Sequence, residues 1–140
     1  MKRFVFGLEK ILKLRNYAEQ EARLELGRAV GALSEIETNL KYLAEARFIA
    51  AEEQVAEGTN ADNIRHYMYY IAWLDNEKER LLKEAALAEQ KVEEARNVYL
   101  EAAREKKAME KLKEKSEKEH KKNTLREEQK TMDDIPNSNI

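Results

Sequence analysis

Apolar residues recur at alternating steps of three and four in two long stretches of this chain. A spacing of about 3.5 residues keeps one apolar stripe, here called the seam, turned toward a neighbouring helix over many turns. The first seam reads Val5, Leu8, Leu12, Arg15, Glu19, Ala22, Leu26, Ala29, Leu33, Ile36, Leu40, Leu43, Arg47 and Ala50. The second reads Ile64, Tyr67, Ile71, Leu74, Lys78, Leu81, Ala85, Ala88, Val92, Ala95, Tyr99, Ala102, Lys106 and Met109. The pattern predicts two long helices that supercoil around each other.

The connection between the two stretches is short. Gly58 is suited to end a helix in the left-handed conformation, and the Thr59 hydroxyl is suited to cap the next helix, with Asp62 near its positive end. The predicted boundaries are a first coiled-coil helix at 1–57, a turn at 58–62, a second coiled-coil helix with an overhanging charged end at 63–132 and a disordered tail at 133–140. The predicted fold is all-α, a long two-helix antiparallel coiled-coil hairpin whose second helix is the longer.

The register of the hairpin is open between two arrangements. In the favoured one, Arg15 lies opposite Tyr99 and Arg47 opposite Tyr67, so that each guanidinium meets an aromatic face. In the other, one heptad away, Arg15 lies opposite Lys106.

The second helix is predicted to extend beyond the first. After Met109 it has no predicted partner within the chain, and its only large apolar residues there are Leu112, Leu125 and Met132. An isolated, highly charged helix end frays in water. This end is therefore either mobile or completed by another protein.

Composition narrows the function classes. Charged residues make up 39% of the chain, the net charge is −2, and there is no cysteine. The absence of cysteine excludes disulfides and thiolate chemistry. The small net charge gives little long-range attraction to nucleic acid. Residues 101–130 hold eleven basic and eight acidic residues with interleaved signs, which is typical of a solvated helix face. No apolar run approaches a membrane span, so a cytoplasmic location is expected.

A two-helix rod offers no concave site in which catalytic groups converge. His66 is expected on an outward face and His120 in the charged end, both as solvated side chains. We expect neither an enzyme nor any metal or cofactor. Gly27 and Gly31 each cost about 1 kcal/mol relative to alanine inside a helix, so they suggest a bend or a close approach by a partner.

Six of the ten aromatic residues lie near the predicted turn. They are Tyr42, Phe48, Tyr67, Tyr69, Tyr70 and Trp73, and only Tyr67 belongs to a seam. Exposed aromatic groups commonly mark protein contacts. The predicted partner-binding residues here are Tyr42, Phe48, Tyr69, Tyr70 and Trp73, and the alternative is that the helices splay and bury these rings near the turn.

Both ends of the chain resemble the FliJ family of flagellar type III export proteins. The start, Phe4-Val5-Phe6-Gly7-Leu8-Glu9-Lys10-Ile11-Leu12-Lys13-Leu14-Arg15, is similar to the family's opening of an aromatic, Leu, then Leu and Arg. Arg104-Glu105-Lys106-Lys107, Glu110-Lys111-Leu112-Lys113-Glu114 and Glu128-Gln129-Lys130-Thr131-Met132-Asp133-Asp134 resemble its closing segments, although Asp134 stands where Glu is usual.

The resemblance implies a cytoplasmic coiled-coil stalk, similar to the gamma subunit of rotary ATPases and held at the inner membrane through the export apparatus. Its implied partners are the hexameric export ATPase, the cytoplasmic domain of the export gate and substrate chaperones, with no nucleic acid and no small-molecule substrate. By this analogy the ATPase-binding residues at the chain ends are Phe4, Leu8, Leu12, Arg15, Leu112, Glu128, Lys130, Met132 and Asp133. The aromatic residues near the turn are then assigned, as a hypothesis, to the gate or chaperones.

Two alternatives stay open. One is the stalk protein of a virulence-type secretion system, which shares the hairpin. The other is a coiled-coil scaffold that self-associates into a four-helix bundle and has no effect on an ATPase.

Overall fold

The protein is a pair of long helices. The computed structural model describes residues 3–56 and 60–134, which form α1 (Glu9–Ala56) and α2 (Ala61–Asp134) and contain no strand. The helices have 48 and 74 residues and pack against each other as a helical hairpin. The predicted all-α class and the longer second helix are therefore confirmed.

The described residues divide into two compact units. One comprises 3–22 with 99–134, and the other comprises 23–56 with 60–98. The buried side chains of the second unit are all apolar, whereas those of the first include a carboxylate. The second unit buries Ala50, Leu74, Leu81, Ala85, Ala88 and Val92, and the first buries Phe6, Glu19, Ala22 and Ala102.

Helix α1 begins later than the start of its predicted seam. Residues 3–8 are not helical, and the Glu9 N–H donates to the Phe6 carbonyl oxygen at 3.1 Å where α1 starts. In this segment Phe6 is buried, whereas Val5 is 78% exposed. Placing Val5 in the seam was wrong, because steps of three and four select one face only where the backbone is helical.

Asn60 provides the cap of α2. Its side-chain Oδ1 accepts the Asp62 N–H at 3.1 Å, and its carbonyl oxygen accepts the Ile64 N–H at 3.0 Å. Asparagine is among the strongest helix caps because its side chain satisfies an otherwise free amide. The predicted capping residues Gly58 and Thr59 lie outside the described residues, and α2 already includes Ala61 and Asp62.

At its other end α2 continues through Asp134, two residues beyond the predicted end at 132. The predicted disordered tail therefore began too early, and its remaining residues, 135–140, lie outside the described part of the chain. Helix α1 is likewise continuous through Gly27 and Gly31, so neither glycine marks a break. A Cβ built on either would have no neighbouring atom within 4 Å.

The structure selects the register that was not favoured. Arg15 Nη1 lies 2.7 Å from Glu105 Oε2, and Arg47 Nε lies 2.8 Å from Asp75 Oδ1. Each arginine is therefore shifted by roughly two helical turns from its predicted tyrosine. In this register each guanidinium donates a charge-assisted hydrogen bond to a carboxylate of the facing helix.

Candidate partner-binding surfaces

The unit that contains the chain ends is held by a charged seam. Glu19 is 3% exposed, and its carboxylate lies 3.7 Å from Lys106 Nζ. One turn away, the more exposed pair of Arg15 and Glu105 links the same two segments. A buried carboxylate is stable only where a cation or hydrogen-bond donors compensate its lost hydration, so this pair ties α1 and α2 together in one alignment.

Residues 3–8, here called the clip, extend this pairing beyond the start of α1. Phe6 is buried, and the Phe4 ring lies against the His120 imidazole with centroids 5.5 Å apart. At the first residue of α1, Glu9 Oε2 lies 3.0 Å from Lys113 Nζ. Two predictions are corrected here: α2 has partners within the chain beyond Met109, and His120 is not a freely solvated side chain.

The segment Lys121–Asp134, here called the free end, is the part of α2 that lacks this cover. All its residues are exposed except Thr124, which is half-buried. Leu125 and Met132, 64% and 73% exposed, are seven residues apart and so share one face, with Glu128 between them. Lys130 and Asp133 lie together with Arg126 on a second, polar face. The free end therefore presents an apolar strip and a charged strip to solvent.

The other predicted ATPase-binding residues lie outside the free end. Phe4 and Leu12 are half-buried in the clip and seam, Leu8 and Leu112 are partly exposed, and Arg15 is engaged by Glu105. Sequence reasoning missed Phe6, Lys113 and the contact of His120. Phe4, Val5 and Phe6 are all apolar, so the sequence carries no alternation that could have identified Phe6 as the buried residue.

The aromatic residues of the second unit lie on more than one side of it. Tyr70 and Trp73 stack with centroids 6.3 Å apart and an interplanar angle of 16°, and Trp73 is 55% exposed. Tyr42, Phe48 and Tyr69 are also exposed. The helices therefore do not bury these rings, and each remains available for a contact.

Phe48 borders a shallow apolar groove between α1 and α2. The groove has a volume of about 380 Å³ and is lined by Leu40, Leu43, Ala44, Arg47, Phe48, Ala51, Leu74, Asp75, Lys78 and Leu82. Trp73 and Leu82 are nine residues apart, about two and a half turns, so they project from opposite sides of α2. The predicted single patch is therefore at least two surfaces, one around Phe48 and one around Tyr70 and Trp73.

Arg47 and Asp75, which both line this groove, form an ion pair. Arg47 donates through Nε to Asp75 Oδ1 at 2.8 Å and through Nη2 to Asp75 Oδ2 at 3.5 Å. The hydrogen bond from Arg47, reinforced by its charge, lowers the pKa of Asp75 below its ordinary value, and the same contact raises the pKa of Arg47. The pair therefore links α1 and α2 beside the groove.

Within the described residues, no three His, Cys, Asp or Glu side chains are grouped so that they could hold a metal ion. Neither of the described helices is long and apolar enough to cross a membrane. The surfaces that the structure does present are exposed side chains on paired helices and on one free helix end.

These features define a helical-hairpin protein of the coiled-coil class whose exposed features suit contacts with other proteins. The model of the flagellar FliJ protein family matches residues 4–139, nearly the whole chain, and the chain belongs to that family. Its members are non-catalytic components of flagellar protein export. Comparisons with curated proteins and with solved structures found no match.

Proposed function

We propose that this chain is the coiled-coil stalk of a flagellar export apparatus and that it binds the hexameric export ATPase through the free end of α2. Binding promotes assembly of the ATPase ring and ATP hydrolysis. The stalk is held at the cytoplasmic face of the inner membrane through the apparatus. The family match to a flagellar protein supports this assignment over a virulence-type stalk.

The exposure of Lys121–Asp134 is the observation that carries the proposal. In this segment Leu125 and Met132 present apolar groups that no other described residue covers, beside a polar face with Arg126, Lys130 and Asp133. A helix of this kind gains stability when a partner covers its apolar strip and pairs its charges. Entry of the free end into a ring of ATPase subunits would supply both.

The test is the rate of ATP hydrolysis by the cognate export ATPase with the full chain and with a chain ending after His120. That truncation keeps the contact of His120 with Phe4 and removes the free end together with residues 135–140. We expect stimulation by the full chain and its loss on truncation. Equal stimulation by both chains would rule out the free end as the ATPase-binding element.

Two variants test whether loss of stimulation is specific to the apolar strip of the free end or follows the loss of any exposed apolar side chain. Leu125→Ala with Met132→Ala removes the apolar strip of the free end, whereas Leu24→Ala removes a 55%-exposed leucine from α1. We expect only the first variant to lose stimulation. Equal loss with both variants would contradict the assignment to the free end.

A second contact is proposed at the exposed aromatic side chains, where the gate domain or substrate chaperones bind. The stacked pair of Tyr70 and Trp73 and the neighbouring Tyr69 present rigid apolar area of the kind that dominates protein interfaces. Tyr69→Ala with Trp73→Ala should keep helicity, measured by circular dichroism, while pull-down of the gate domain or chaperones weakens. Unchanged binding of all these partners by the double variant would reject this surface.

The scaffold alternative makes a different prediction. If the apolar groove beside Phe48 and Leu82 pairs two copies of the chain, sedimentation at micromolar concentration shows a dimer that Leu82→Glu dissociates. A dimer combined with no effect on the ATPase would favour the scaffold over the stalk.

A further inference from the structure

The clip covers α2 at the point where α1 no longer does. Along α2 the seam continues after Met109 through the half-buried Lys113, Ser116 and His120, and Thr124 is the last half-buried residue of the helix. Because α1 starts only at Glu9, the segment around His120 faces residues 3–8 and not helix α1. A non-helical segment of the chain thus takes over the role of the partner helix.

Three kinds of contact anchor the clip. Phe6 supplies burial, since it is 9% exposed, while the adjacent Val5 is 78% exposed. Phe4 supplies a ring contact to His120, and the adjacent Glu9, the first residue of α1, supplies an ion pair to Lys113 at 3.0 Å. Lys113 and Glu117 of α2 also border the same shallow depression as Arg3, Phe4 and Phe6. The clip therefore holds α2 over two turns, from Lys113 to His120.

This anchoring affects the residues that follow. A helix without a packed face melts from its end inward, and the start of the unpacked stretch decides how long the fraying segment is. With the clip in place, the unsupported stretch begins after His120. Without the clip it would begin near Lys113, where Glu9 of α1 makes its ion pair, and the free end would be attached to a melted segment.

We propose that residues 3–8 are a conformational clip that keeps α2 helical through His120 and so preorganises the free end for its partner. If a partner binds only the helical form, its apparent affinity falls as the melted fraction of the molecules rises. The clip therefore raises partner affinity from a distance. This second step rests on the proposed function, whereas the first concerns the isolated chain alone.

The first experiment is hydrogen exchange of the full chain without any partner, comparing Phe6→Ala with Val5→Ala. Both substitutions shorten an apolar side chain in the clip, but only Phe6 is buried. We expect Phe6→Ala to accelerate amide exchange in residues 113–134 by about tenfold, with residues 60–98 unchanged, and Val5→Ala to have no effect. Equal exchange in both variants, or acceleration spread over the whole chain, would overturn the clip.

A second set of variants tests the other anchors without truncating Phe6. Glu9→Gln removes the ion pair to Lys113, and His120→Ala removes the ring against Phe4. Each should accelerate exchange in residues 113–134 by a smaller factor than Phe6→Ala. If neither does so while Phe6→Ala still does, Phe6 acts through folding of the α1 start and the clip is rejected.

The partner step has its own readout. Phe6→Ala should raise the concentration of chain needed for half-maximal ATPase stimulation, and Ser116→Ala, which lies before the free end, should partly restore it, since alanine favours the helix more than serine. No rescue would reject preorganisation. If the native chain does not stimulate the ATPase, the proposed function fails, whereas the exchange result still decides the clip.

Discussion

At the scale of single residues, the contact with Arg47 changes the pKa of the Asp75 carboxyl group. The hydrogen bond from Arg47 lowers the pKa of Asp75, with a smaller contribution from the charge of Lys78. Because the folded-state pKa is lowered, the pair contributes stability above the unfolded pKa and loses it as the pH falls through the folded pKa. We expect Arg47→Gln to raise the pKa of Asp75 toward its ordinary value in a carboxyl NMR titration.

Glu77 is the internal control for that titration. Its pKa is lowered mainly by the hydrogen bond from Arg80, with Oε2 2.7 Å from Arg80 Nη2, and Arg47 takes no part. Its pKa should therefore stay low in Arg47→Gln and rise in Arg80→Gln. Parallel shifts of both carboxyl groups in either variant would show that the chain loosens generally.

The cap at Asn60 makes a second prediction at this scale. Asn60→Ala removes the acceptor of the Asp62 N–H and should lower the free energy of unfolding by about 0.5–2 kcal/mol, measured by urea denaturation. Asn60→Asp keeps an oxygen acceptor and adds a charge that suits the positive helix end, so it should match or exceed the native stability. If Asn60→Asp lowered the free energy of unfolding as much as Asn60→Ala, the capping role would be contradicted.

Single contacts were the least predictable part of the chain. The sequence placed Arg47 and Arg15 correctly at the border of the seam, but a carboxylate and a tyrosine are both plausible partners until the register is known. Val5 and Phe6 show a different difficulty. Periodicity assigns a face only within a helix, and α1 begins after both of them.

At the scale of the element, two glycines inside α1 lower its helix propensity. Gly27 and Gly31 lie exposed inside a continuous helix, and an added Cβ would meet nothing within 4 Å at either. Alanine should therefore stabilise the helix by about 1 kcal/mol at each position, because it loses less backbone entropy on folding. Thermal unfolding of Gly27→Ala and Gly31→Ala should show a higher midpoint for each variant.

Gly7 is the matched control for this gain. It also has open space around a built Cβ, but it lies before α1, so alanine gains no helix propensity there. A comparable rise in the midpoint for Gly7→Ala would mean that propensity is not the cause. A fall in Gly27→Ala or Gly31→Ala would mean that another molecule approaches the backbone at these glycines.

The elements themselves were largely readable from the sequence, because long periodic stretches and a short glycine-containing connection leave few alternatives. Leu74, Leu81, Ala85, Ala88 and Val92 are buried as the seam predicted. The sequence placed the start of the unpartnered part of α2 too early, after Met109. The clip that contacts α2 beyond that point is not helical, so the helical period of apolar residues could not reveal it.

At the scale of the whole molecule, register determines which residues meet, and composition alone leaves it open. Many apolar positions of the seams are alanine or leucine, which pack acceptably after a shift of one heptad. Polar seam residues distinguish the registers because a buried charge tolerates only an oppositely charged partner. Glu19 beside Lys106 is such a pair, and the family match does not reveal it.

The last prediction tests whether this pair fixes the register. Lys106→Met removes the ammonium group that lies 3.7 Å from the carboxylate of Glu19, which is 3% exposed, and should cost about 1–3 kcal/mol in urea denaturation. The double variant Glu19→Leu with Lys106→Met removes the buried charge as well, so most of the stability should return. Spin labels at Ser34 and Glu89, on the outer faces of the second unit, should then report a broader distance distribution if other registers become populated. Restored stability with a single unchanged distance would assign register to the apolar seam and the remaining ion pairs.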